Sequence, residues 1–158
     1  VGSYGIPGNG LDYGQNFTTS PEIGIVLHAV AGDETRRAFD LQSIGYSNGT
    51  YPANTIEQIF PGVHSDVGGT YLPGAQGKQA GLSTIPLSWM YDQSRGYGVP
   101  FNSLPSAYQP SSQLMTIYLD YIKTGNSAAL NNYIHNEAGI LDTGNTRDVY
   151  YANDKLKK

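Results

Sequence analysis

Thr55-Ile56-Glu57-Gln58-Ile59-Phe60-Pro61-Gly62-Val63-His64-Ser65-Asp66-Val67-Gly68-Gly69 is the stretch whose reading decides the fold. Its first six residues are rich in β-branched and aromatic side chains and are stopped by Pro61-Gly62, which predicts a strand. The polar segment at residues 63–71 then lies directly beyond the strand's carboxyl end, where open α/β sheets gather their ligands. Upstream, Ile23-Gly24-Ile25-Val26-Leu27-His28-Ala29-Val30-Ala31 is a nearly continuous apolar run. Its length and branching predict a second strand buried on both faces, as in a parallel sheet. Asp33-Glu34-Thr35-Arg36-Arg37-Ala38-Phe39 follows with acids before bases, the order that favours a short helix.

Downstream the period changes from two to 3.6. Leu82, Ile85, Leu87, Trp89 and Met90 predict a helix with Pro86 in its first turn and Gly96 and Gly98 at its end. Leu114, Ile117, Tyr118, Tyr121 and Ile122 mark the clearest amphipathic helix, stopped by Gly125. Leu130, Tyr133 and Ile134 indicate one more short helix. Residues 42–54 carry turn chemistry, and residues 99–111, with three prolines, read as a loop. Strands and helices in this order predict the α/β class, as part of a sheet with flanking helices. Two strands do not make a stable sheet alone. Together with an opening that reads as a loop already under way, this leads us to expect that the chain is a piece of something longer or the product of a cut precursor. The upstream portion of the same protein is then its expected partner.

Composition narrows the functions. The 158 residues hold 9 Lys+Arg against 13 Asp+Glu, a net charge of -4, which argues against nucleic-acid binding because phosphate neutralisation needs a basic face. Cys is absent, so a disulfide framework and a thiolate metal site are both excluded. His28, His64 and His135 have no close spacing, so neither a metal nor a cofactor is expected. His28 sits inside the apolar run and reads as a satisfied core histidine. His135 reads as decorating a helix end. Trp89, Met90 and Tyr91 read as core.

His64 is the strongest candidate for chemistry. An imidazole titrating near pH ~6.5 can take a proton from a hydroxyl and return it to a leaving group. The same residues also fit a plain turn in which Asp66 caps the following segment and His64 bonds locally. Asp33, Glu34, Arg36 and Arg37 fit either a network around a site or the start of a helix.

The segment 60–69, with residues 28–39 before it and Leu87-Ser88-Trp89-Met90 after it, resembles the α/β-hydrolase-like family DUF2235, which includes bacterial type VI secretion lipase effectors of the Tle1 type. The resemblance covers roughly residues 1–98, and implies that they form the carboxyl-terminal portion of an α/β-hydrolase-like catalytic domain, its sheet flanked by helices, on which residues 99–158 pack as a helical extension. It implies an ester hydrolase, lipase or phospholipase, with a serine in a Gly-x-Ser-x-Gly elbow. His64 falls where the family's catalytic histidine is expected. Asp33 falls after the preceding strand, a usual place for the acid of the triad, and Asp66 is a third site candidate expected to order the loop. The elbow is expected upstream of Val1, so the chain is expected to lack its own nucleophile. The resemblance further implies a lipid or ester substrate, peripheral membrane contact, and a secreted bacterial effector acting in the periplasm. The alternative reading is a degenerate module that binds without catalysis.

Overall fold

A computed structural model describes residues 19–36, 41–136 and 149–151. Its element order is β1 (Val26–Ala31), β2 (Leu41–Ser43), β3 (Thr55–Phe60), α1 (His64–Gly68), α2 (Thr84–Gly96), α3 (Ser112–Thr124) and β4 (Val149–Tyr151), with short 3-10 turns between the later elements. β1 pairs with β3 and β2 with β4. Val26 N–H donates to Asn54 O and Gly32 N–H to Phe60 O, each at 2.8 Å, and the constant offset between donor and acceptor makes β1 and β3 parallel. The result is a small α/β architecture, with parallel strand pairs and flanking helices, compatible with a hydrolase-like domain.

β3 spans the six residues expected of it. β1 is shorter than the apolar run, and only Val30 and Ala31 are buried. The expectation of a strand covered on both faces is therefore corrected: Val26 to Ala29 are half-exposed. The expected helix from Asp33 is also absent over its described part, residues 33–36; residues 37–39 lie outside the described residues. Local side chains take the backbone groups instead. Glu34 accepts from Arg36 N–H at 3.0 Å and holds the Arg36 guanidinium through two bonds of 2.9 and 2.7 Å, an i, i+2 clasp that helical geometry does not allow.

The chain divides into two compact units. In the first, whose described residues are 19–30, 34–36, 41–58 and 149–151, Glu57 is a hub. It pairs with His28 Nδ1 at 2.9 Å and accepts from Ser43 Oγ at 2.8 Å, Ile44 N–H at 2.9 Å and Tyr51 Oη at 3.2 Å. Burial alone raises its pKa, but the bonds from His28, Ile44 and Ser43 and the charge of His28 outweigh burial and lower it below the ordinary value. His28 is thus satisfied, though by an ion pair at a partly exposed position rather than inside the core. β2 and β4 pair in parallel with Leu41 opposite Val149 and Ser43 opposite Tyr151.

In the second unit, Ala31–Asp33 and Ile59–Asn136, the core is built from Phe60, Val63, Leu82, Ile85, Leu114, Leu130 and Tyr133. Trp89 packs edge-on against Phe60 with ring centroids 5.5 Å apart, but Trp89, Met90 and Tyr91 are only half-buried, so they line the core rather than fill it. α2 has Pro86 in its first turn, as expected. α3 is capped at its start by Ser111, whose side chain accepts from Leu114 N–H, and at its end by Gly125 in the left-handed region. Leu114 is buried, whereas Ile122 of the same predicted stripe is 58% exposed. No helix among the described residues is long and apolar enough to cross a membrane.

Candidate functional site

The segment after β3, expected as a polar loop, contains the single-turn helix α1. Val63 stands before it in extended conformation, and Asp66, third in the helix, reaches back so that its Oδ2 accepts from Val63 N–H at 3.1 Å. That is the reciprocal half of a capping box. Gly69 closes the turn at φ 85. His64 is the first residue of α1 and is half-buried, just past the carboxyl end of β3. Gly62 makes the approach possible: its φ is +111, and a Cβ there would come within 2.6 Å of Asp66 Cβ.

Asp33 lies beyond the end of β1 and is joined to this same turn. Its N–H donates to Gly62 O at 3.0 Å, and its Oδ2 accepts from Gly62 N–H at 2.6 Å. Two carboxylates from different segments thus hold two successive amides, Gly62 and Val63, directly ahead of His64. The structure therefore brings Asp33 and Asp66 to the backbone that carries His64.

Asp66 is 3% exposed and faces inward. Its Oδ1 meets His135 Nδ1 at 2.6 Å, and its Oδ2 also accepts from His135 N–H at 3.0 Å. Tyr71 stacks on the His135 ring at 3.6 Å and 11°. Among the described residues His135 Nε2 is buried without a hydrogen-bond partner. His135 also lines a cavity with Ser65, Gly69, Gly81 and Ser83 among its other walls, with room of ~10 Å³ for about one water molecule. The expectation that His135 decorates a helix end is corrected: it is 3% exposed and tied to Asp66. The separation of 69 residues hid this pair from sequence reasoning; the only local signal was a histidine directly after the apolar Leu130, Tyr133 and Ile134.

The elbow is expected upstream of Val1, yet one stretch of this chain shares its spelling. Gly45-Tyr46-Ser47-Asn48-Gly49 has that spelling. Its structure is a turn between β2 and β3, in which Tyr46 O accepts from Gly49 N–H at 2.9 Å and Tyr46 N–H donates to Thr50 O at 2.8 Å. A nucleophile elbow needs a strand leading through a sharp turn into a helix. No helix follows here, and Ser47 is exposed.

No group of three or more His, Cys, Asp or Glu side chains gathers as a metal site among the described residues. What the arrangement offers is an imidazole at a strand end, on backbone fixed by two carboxylates.

The sequence signature of the type VI secretion phospholipase effector Tle1-like catalytic domain matches residues 1–93. The chain belongs to the Tle1-like phospholipase effector family. The matched span includes Asp33, His64 and Asp66 and ends inside α2, so His135 lies outside it. An uncharacterized protein of Saccharomyces cerevisiae is 39% identical over 67 residues, covering 40% of this Tle1-like chain and 10% of that protein. The chain thus corresponds to a small part of that relative's length. No solved structure matches the chain.

Proposed function

We propose that this Tle1-like segment supplies the general base of a serine-type ester hydrolase acting on phospholipids or related lipid esters. His64 takes the proton from the attacking serine hydroxyl and delivers it to the leaving alcohol. Asp33 orients the imidazole, and Asp66 holds the loop. The serine attacks the ester carbonyl, the alkoxide leaves with the proton from His64, and water then releases the acid from the acyl-enzyme by the same base in reverse. The nucleophile is contributed by sequence upstream of Val1. The observation that carries the reading is the family match across a histidine at the carboxyl end of a parallel strand. A secreted effector meeting a bilayer peripherally, in the periplasm of a target cell, fits the same reading.

The turn conformation of the Gly45–Gly49 stretch favours an upstream nucleophile over Ser47. It also keeps a second reading in play, a hydrolase-like module that binds lipid without turnover. The test is to treat the full-length protein with a fluorophosphonate probe and to map the labelled residue. Labelling of a serine upstream of Val1, lost in His64→Ala, is the expected result. Labelling at Ser47 would move the nucleophile into this chain, and no labelling alongside tight lipid binding would support the non-catalytic module.

A further inference from the structure

We infer that the buried Asp66–His135 pair is a positioning device for His64, so that the active-site loop is completed by residues outside the family-matched span. The inference rests on His64 being the base. A helix of five residues has too few hydrogen bonds to hold its own shape, so the placement of its first residue must be imposed by tertiary contacts. Asp66 imposes it. One carboxylate takes the amide immediately before His64 and, from the same helical turn, both the backbone and the ring of His135.

The far end of this clamp is itself fixed. Leu130 and Tyr133 are buried, Gln76 exchanges two hydrogen bonds with the backbone of Asn136 at 2.8 and 2.9 Å, and Gln79 N–H donates to Asn132 O at 2.8 Å. His135 therefore presents a rigid donor to Asp66. Its ring meets Asp66 through Nδ1 and Tyr71 through its face. His135 also lines, in part, a small cavity with room for about one water molecule. Asparagine reproduces a donor close to the Nδ1 position without the rest of the ring, and is the conservative replacement that this geometry specifies.

The experiment measures kcat and KM of the full-length protein on a soluble ester for His135→Ala, His135→Asn, Tyr71→Leu and His64→Ala, with thermal unfolding of each. A base displaced by about 1 Å costs about 100-fold in turnover. Accordingly, His135→Ala should lower kcat by about 10- to 100-fold with KM within about twofold, and His135→Asn should recover to within about fivefold of wild type. If His135→Ala does not fold, Tyr71→Leu, which strips only the stacking face, should still lower kcat at unchanged KM. Wild-type kcat in a folded His135→Ala or, where that variant fails, in Tyr71→Leu overturns the clamp. So does His135→Asn as impaired as His135→Ala. In either case a dead His64→Ala leaves the base reading standing. Wild-type kcat in His64→Ala removes the base reading and the positioning role with it.

Discussion

Replacing Asp66 by alanine should be among the most damaging single changes in the second unit. The carboxylate is 3% exposed and accepts three hydrogen bonds, from Val63 N–H, His135 N–H and His135 Nδ1. Each bond to a charged acceptor contributes about 1.5–3 kcal/mol, and each buried donor left unpaired costs about 1–3 kcal/mol. These are two descriptions of one loss and do not add. Removal of one partner from a buried pair costs about 3–5 kcal/mol, and that is the expected destabilisation for Asp66→Ala. It is a large fraction of the roughly 5–15 kcal/mol that holds a typical domain folded. His135→Ala leaves the carboxylate with its two backbone donors and should cost less. Because both variants break the same pair, Asp66→Ala/His135→Ala should be less destabilised than the sum by about 1–3 kcal/mol. Urea unfolding with m held constant across the cycle measures this. A loss under about 1 kcal/mol in Asp66→Ala, or strict additivity, would refute the reasoning.

Two further outcomes follow from the same geometry. Gly62→Ala should destabilise by about 2–5 kcal/mol in the same urea assay, because alanine is strained at φ +111 and its Cβ collides with Asp66, whose own position is fixed. Glu57 gives an acid-side dependence. Its folded pKa lies below the ordinary value of about 4.5, so below that value the unfolded chain binds more protons. The stabilisation is complete above about pH 4.5 and is lost as pH falls through the folded pKa. Glu57→Gln should flatten the fall of thermal stability on that acid side, and an unchanged slope would show that the hub does not set it.

The parts of the fold written in contiguous residues were legible. β3 and its Pro61-Gly62 stop, α2 with Pro86, and α3 between Ser111 and Gly125 follow from local propensity, periodicity and caps, and appear where those signals place them. The positions of His64 just past β3 and of Asp33 beyond β1 were legible from where the strands stop. What escaped was set by distant partners. β2 has three residues and acquires its strand form only by pairing with β4, more than a hundred residues on, which no local pattern announces. The helix expected at Asp33 lost to hydrogen bonds that need Gly62 as a partner for Asp33 and Arg36 as a partner for Glu34. His135 looked like a surface residue because its burial depends on Asp66 and Tyr71. The Gly45–Gly49 stretch shows the converse, a spelling that matches a catalytic elbow with a backbone that does not.

The central claim is that His64 carries the proton in ester cleavage. The most direct measurement is phospholipid hydrolysis by the full-length protein with His64 replaced by alanine, alongside its unfolding midpoint. A fall in kcat on the order of 10⁴- to 10⁶-fold at an unchanged midpoint is the predicted result. Turnover within about tenfold of wild type would contradict it, since loss of a general base alone removes at least about 100-fold.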